Sequence, residues 1–207
     1  MALCLIALLC ISILLPAQPA SAQSNLVQNP GFETGNLSGW QTVPTSFGPS
    51  EPVVPQIWTT YVHSGTYALD LSPGNGATLG VNDEITQTLA TTPGATYNFS
   101  FWLLNTQSSG PDSFQVAWNG AVVPGSPANA DAAASNAWAN YAYSLTATSS
   151  TTSISFEAAN GPGWTALDDV SVVRASAAPE LSTVSMFAAG SVGLVLKQLR
   201  GRRKRAR

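Results

Sequence analysis

The chain has 207 residues, 44% hydrophobic and only 9% charged, with a formal net charge of −3, whereas soluble domains usually carry about 25% charged residues. Seven of the eight basic residues fall between Lys197 and Arg207, and Arg174 is the only one before them. That split excludes a basic nucleic-acid-binding face and a P-loop lysine from the body, and the hydrophobic content excludes a disordered chain.

In chain order, Ala2 to Leu15 comes first, an almost unbroken apolar run. It is short for a membrane span and suits the core of a signal peptide. Pro16 breaks it, and Ala20-Ser21-Ala22 supplies the small-x-small pattern that signal peptidase accepts, so residues 1–22 are expected to be removed. Both cysteines, Cys4 and Cys10, lie in this segment. The mature chain would then hold neither a disulfide nor a thiolate metal site.

Residues 23–176 form the body. Helical periodicity is absent, and Gly, Pro, Ser, Thr and Asn punctuate the chain at short intervals, which is a strand-and-turn signature. Tyr67 to Leu71 reads as a strand, with His63 near the turn before it. In Tyr97 to Leu103, alternation places Tyr97, Phe99, Phe101 and Leu103 on one face and Trp102 on the other. Phe114 to Trp118 alternates likewise and ends in Asn119-Gly120, a strong hairpin signal, with Ala121 to Val123 returning. The Ala-rich stretch 128–139 reads as a loop. Tyr141, Tyr143 and Leu145 share a face, Ile154 and Phe156 point inward, and Leu167 to Val173 makes a last strand. The expected fold class is all-β, an antiparallel jelly-roll β-sandwich.

Beyond the body, Leu181 to Leu196 is a second uncharged apolar run. As a helix it would span about 24 Å at 1.5 Å per residue, and it is followed by the basic end 197–207. Apolar helix plus arginines is a stop-transfer pattern that keeps the basic end cytoplasmic. With Pro179-Glu180-Leu181-Ser182-Thr183 ahead of it, the segment 177–207 resembles a PEP-CTERM sorting tail, with Leu181 in place of the second motif proline. The resemblance implies a single transmembrane helix, 181–196, that holds the chain transiently in the inner membrane. It also implies an exosortase-type membrane protease that recognises 179–183 and releases the protein to the cell surface or beyond. A plain membrane anchor is the alternative.

Three stretches of the body carry a second resemblance: Asn25 to Trp40 with its N-P-G-F-E…G-W pattern, Ile85 to Trp102 around a Pro-Gly turn, and Ala166 to Val172 with Asp168-Asp169. Together they resemble galactose-binding-like jelly rolls, including carbohydrate-binding modules attached to xylanases and cellulases. The resemblance implies a structural Ca²⁺ held by Glu33 and by Asp168 or Asp169. Ca²⁺ does favour hard oxygen ligands of this kind. Alternation places Asp168 on the face of Val170 and Val172, where it needs a partner. The alternative partner is a set of backbone N–H groups from a neighbouring loop.

Six tryptophans are many for this length, and sugars bind proteins by stacking on aromatic faces. Trp40, Phe32 and Trp118 are expected in the core. Trp58, Tyr61, Trp102 and Trp164 are the candidate ligand platform. Catalysis is not expected. His63 is the only histidine and no G-x-S-x-G context exists, and Asp168 and Asp169 alternate to opposite faces instead of forming an acid pair. The body carries ten acidic residues and one Arg, a net charge of −9. The sequence therefore reads as a secreted, non-catalytic cell-surface or matrix protein working with extracellular polysaccharide, or alternatively as a carbohydrate-binding module with an aromatic cleft.

Overall fold

The computed structural model describes residues 23–43, 55–71, 83–106, 113–125, 136–159 and 163–176. The expected signal peptide, the expected sorting tail and most of the Ala-rich stretch lie outside these residues. The described residues form ten strands: β1 (Gln41–Val43), β2 (Gln56–Trp58), β3 (Ala68–Asp70), β4 (Asp83–Ala90), β5 (Thr96–Asn105), β6 (Ser113–Trp118), β7 (Ala121–Val122), β8 (Ala139–Thr146), β9 (Thr151–Ala159) and β10 (Thr165–Arg174). They make two five-stranded sheets, ordered β1-β4-β9-β6-β7 and β2-β3-β10-β5-β8, and every paired neighbour is antiparallel. Among the described residues there is no helix, and none long and apolar enough to cross a membrane.

Strand alternation builds the core. Tyr97, Phe99, Phe101 and Leu103 of β5 are all buried, as are Phe114 and Val116 of β6, Ile154 and Phe156 of β9, and Leu167 and Val172 of β10. Phe101 meets Phe156 edge to face at 5.1 Å, a favoured aromatic geometry across the sandwich. Tyr141, Tyr143 and Leu145 of β8 pack on the core while partly open. Asn119 and Gly120 both have positive φ, 53° and 77°, which is the backbone of a tight hairpin between β6 and β7. Phe32, Trp40 and Trp118 are buried as expected.

The opening segment is sewn to the last strand. Asn25 Nδ2 donates to the Val170 carbonyl at 3.0 Å, and its Oδ1 accepts from Val172 N at 2.9 Å. Val170 N donates to the Pro30 carbonyl, 2.9 Å. These bonds bring Glu33 beside the middle of β10.

One expectation about β10 needs correcting. Between Asp168 and Ser171 the register with β5 shifts: Asp168 pairs with Trp102, but Ser171 pairs with Ser100. This is a β-bulge, and Asp169 sits in it with φ of 49°. Leu167 and Val172 both point to the core, so the extra residue changes the phase of the strand between them. Asp168 therefore lies on the outer face with Trp102, not on the face of Val170 and Val172. Asp168 and Asp169 also do not diverge to opposite faces; both reach the loop between β2 and β3.

Candidate functional site

The loop of residues 59–67 leaves β2 after Trp58 and folds back over the outer face of the second sheet. Three carboxylates hold it there. Asp168 is completely buried, and its Oδ2 accepts hydrogen bonds from His63 N at 3.0 Å and Ser64 N at 3.2 Å. Its Oδ1 accepts from Asp169 N at 2.7 Å. Burial pushes the Asp168 carboxyl up to about 6, against the opposing pull of these three N–H donors; desolvation of the charged form outweighs hydrogen bonding to it. Asp169 Oδ2 lies 2.6 Å from His63 Nδ1, and Asp169 Oδ1 accepts from Ser64 Oγ at 2.8 Å. Glu33 accepts from Thr66 N at 3.0 Å and Tyr67 N at 3.1 Å. Gly65 permits that approach: its φ is +71°, and a Cβ there would run into the Glu33 carboxylate.

On one flank of this loop, Trp58, Tyr61 and Trp164 come together. Ring centroids are 5.8 Å apart for Trp58–Tyr61, 5.7 Å for Trp58–Trp164 and 6.2 Å for Tyr61–Trp164. Trp58 ends β2, Tyr61 stands in the loop, and Trp164 precedes β10. The Trp164 backbone is clasped to Thr106: its N donates to Thr106 Oγ1 at 2.9 Å, and its carbonyl accepts from Thr106 N at 3.1 Å. Trp164 is 42% exposed, one of three large hydrophobic side chains so open to solvent among the described residues. The rings line a hollow of about 380 Å³ with Ile57, Thr59 and Thr60. None of these six residues carries a charge, and the volume sits at the low end of small-ligand sites, which run from about 300 Å³ upward.

Trp102 is not part of that hollow. The His63 imidazole lies flat on it, with centroids 3.8 Å apart and planes 18° from parallel. Trp138 meets His63 edge-on at 5.6 Å. One face of the Trp102 indole is thus covered by the protein's own histidine. Three of the four platform candidates converge and the fourth stacks elsewhere.

Glu33, Asp168 and Asp169, the residues expected to bind Ca²⁺, supply hard oxygen donors of the right chemistry. They also gather around Gly31, where a Cβ would lie 3.4 Å from both Asp168 Oδ1 and Asp169 Oδ1. In this conformation their oxygens serve the hydrogen bonds above, and among the described residues no three acidic, His or Cys side chains are spaced to hold an ion.

The roles of His63 as anchor of the loop and of Trp138 against it are not among the sequence expectations, although Trp138 does lie outside the strands, just before β8. A signal for the first was present: a histidine with serine and glycine after it, in a chain whose closing strand carries two adjacent aspartates. Trp138 gave no local signal, since its role depends on the pairing of β8 with β5.

The carbohydrate binding domain model CBM_4_9 matches residues 24–166. The chain belongs to this carbohydrate-binding family. Among solved structures, TmCBM61 in complex with β-1,4-galactotriose is similar at 17% identity and TM-score 0.53, over 73% of this chain and 99% of that one. The CBM22-1 xylan-binding domain of Paenibacillus barcinonensis Xyn10C is similar at 16% identity and TM-score 0.53, over 77% of this chain and 99% of that one. The enzymatically active domain of bacteriophage CBA120 tailspike protein 4 aligns with 73% of this chain at 18% identity and TM-score 0.50, but only 21% of that chain is covered. At these identities the likenesses establish the β-sandwich fold. No functionally curated protein matches the sequence.

Proposed function

We propose that this domain binds a glycan, without catalysing its cleavage, in the hollow walled by Trp58, Tyr61 and Trp164. The observation that supports this is the convergence of three rings on an open, uncharged hollow in a chain of the carbohydrate-binding family. The C–H face of a pyranose offers the flat apolar surface that such rings accept, and the hydroxyls of Thr59 and Thr60 can meet the sugar's own hydroxyls. Glycan-array screening followed by tryptophan-fluorescence titration tests the reading. Saturable binding that is lost in Trp164→Ala supports it; binding to no glycan overturns it.

The export route is part of the same proposal. Signal peptidase would remove residues 1–22, and an exosortase-type protease would act at 179–183 while helix 181–196 holds the chain in the membrane. The released body, with its net charge of −9, would work at the cell surface or outside it with extracellular polysaccharide as partner. Mass measurement of the protein recovered from the cell surface tests this, and retention of residues 184–207 would overturn the tail processing. A structural Ca²⁺ at Glu33, Asp168 and Asp169 is proposed on the chemistry of those donors alone, and it would require their oxygens to exchange hydrogen bonds to residues 63–67 for the ion. A melting temperature raised by calcium and lowered by chelator supports it; a melt insensitive to both overturns it.

A further inference from the structure

The middle of the 59–67 loop has to be held in place if Tyr61 is to form a wall of the hollow. We propose that His63 is the positioning residue that does this, with Trp102 and Asp169 acting through it; the inference rests on reading the hollow as the binding site. Carboxylates fix the height of the loop over the sheet, because Asp168 and Glu33 take backbone N–H groups at residues 63, 64, 66 and 67. Backbone bonds alone leave its lateral placement open. That placement comes chiefly from the imidazole, which lies flat on Trp102, meets the edge of Trp138 and has Nδ1 held 2.6 Å from Asp169 Oδ2, with the Ser64 hydroxyl donating to Asp169 Oδ1 at 2.8 Å beside it. Asp169 reaches it only because the bulge with φ of 49° turns its side chain to the same side as Asp168.

Tyr61 stands two residues before His63, on the other flank of the loop, stacked at 28° on Trp58. Moving the loop sideways breaks the Trp102 stack and the Asp169 contact together. Trp102 thereby changes role. It does not present a face to ligand on this side; it is the bed on which the positioning residue rests. The advantage is preorganisation: a wall ordered before binding does not have to be ordered by the ligand.

The test reads the wall with and without ligand in the full domain. Packing of Trp58, Tyr61 and Trp164 at these separations couples their transitions, so the far-ultraviolet circular dichroism should carry an exciton couplet. His63 packs instead on Trp102 and Trp138, so the share of the couplet that belongs to the hollow is read as the part that Trp164→Phe removes. In His63→Ala the couplet should collapse, and binding of xylohexaose or β-1,4-galactotriose should weaken about tenfold, the scale of ordering one side chain. His63→Phe keeps a flat ring on Trp102 but loses the Asp169 contact, so it should restore both signals only in part. Trp102→Phe, which keeps a smaller bed, gives a second route if His63→Ala does not fold, and it should weaken the couplet by less. A couplet unchanged in folded His63→Ala overturns the positioning role. The couplet decides that role whether or not either glycan binds. If Trp164→Ala leaves titration by a bound glycan unchanged, the binding reading fails separately.

Discussion

The loop between β2 and β3 has an aromatic cluster on each flank, and the two are opposite in character. Trp58, Tyr61 and Trp164 leave a hollow lined by uncharged residues, with Trp164 exposed. Trp102, His63 and Trp138 close on one another, and a carboxylate fastens the histidine in place. Both clusters contain two tryptophans, so aromatic content does not separate a ligand platform from a structural stack. The presence of a polar partner inside the cluster does. A ring whose face is taken by a hydrogen-bonded imidazole is committed to the fold, whereas a ring beside uncharged threonines remains available.

The largest effect should come from the closed flank. Asp168→Ala removes the acceptor of His63 N, Ser64 N and Asp169 N. A fully buried donor left unpaired costs about 1–3 kcal/mol; these three are only part-buried, so each should cost toward the low end and the total should be about 3 kcal/mol. For a domain of this size that is a fall in melting temperature of about 10 °C. A fall of only a degree or two would show that the carboxylates do not hold the loop. The open flank should behave in the reverse way. Trp164→Ala is expected to weaken glycan binding by about 2 kcal/mol, as an aromatic hot spot does, with a smaller loss of stability, about 1 kcal/mol, because the ring is 42% exposed and packs on Trp58 and Tyr61. Equal losses of stability and affinity from this substitution would erase the distinction between the flanks.

Gly65 lies where the flanks are joined. Gly65→Ala forces an L side chain into φ of +71° and displaces the Glu33 carboxylate from Thr66 and Tyr67. The left-handed conformation alone costs about 1–2 kcal/mol. Hydrogen exchange at the Thr66 and Tyr67 amides should accelerate in this variant, while exchange in β5 and β9 keeps its wild-type order. Acceleration everywhere would mean that the loop is not a separable unit.

Much of the sandwich was legible because period-2 alternation survives in β5, β6, β8 and β9, and each has one face in the core. The hairpin at Asn119-Gly120 was legible because the turn chemistry is local. Strands β1 and β2, at three residues each, are too short to show a period. The faces of Asp168 and Asp169 were misread for a different reason. Alternation assumes an unbroken ladder, and the bulge is created by the pairing of β10 with β5, which no local pattern in residues 165–174 announces. Trp58, Tyr61 and Trp164 could be named as exposed aromatics. Their convergence could not, since Trp164 lies more than a hundred residues from the other two and joins them only through sheet order.

The smallest effect should come from the outer face of the other sheet, where the ladder sets two carboxylates against each other. Glu84 of β4 and Glu157 of β9 are directly opposed in the ladder. Partial burial raises the Glu84 carboxyl, the facing Glu157 charge raises it further, and the Ser155 hydroxyl lowers it in part. Like charges opposite one another destabilise a sheet by a few tenths of a kcal/mol, and Glu84→Gln should recover about that much at neutral pH. The sign follows from the raised folded value. A carboxyl that binds its proton more tightly when folded adds stability below its ordinary range, and that contribution is lost as pH rises through the raised value. Wild-type stability should therefore decline over this interval relative to Glu84→Gln, and the two melting curves should converge when the pH is taken below the ordinary carboxylate range. If the variant is instead less stable at neutral pH, the pair is doing something other than repelling, and this charged face would differ from the loop flanks in kind as well as in size.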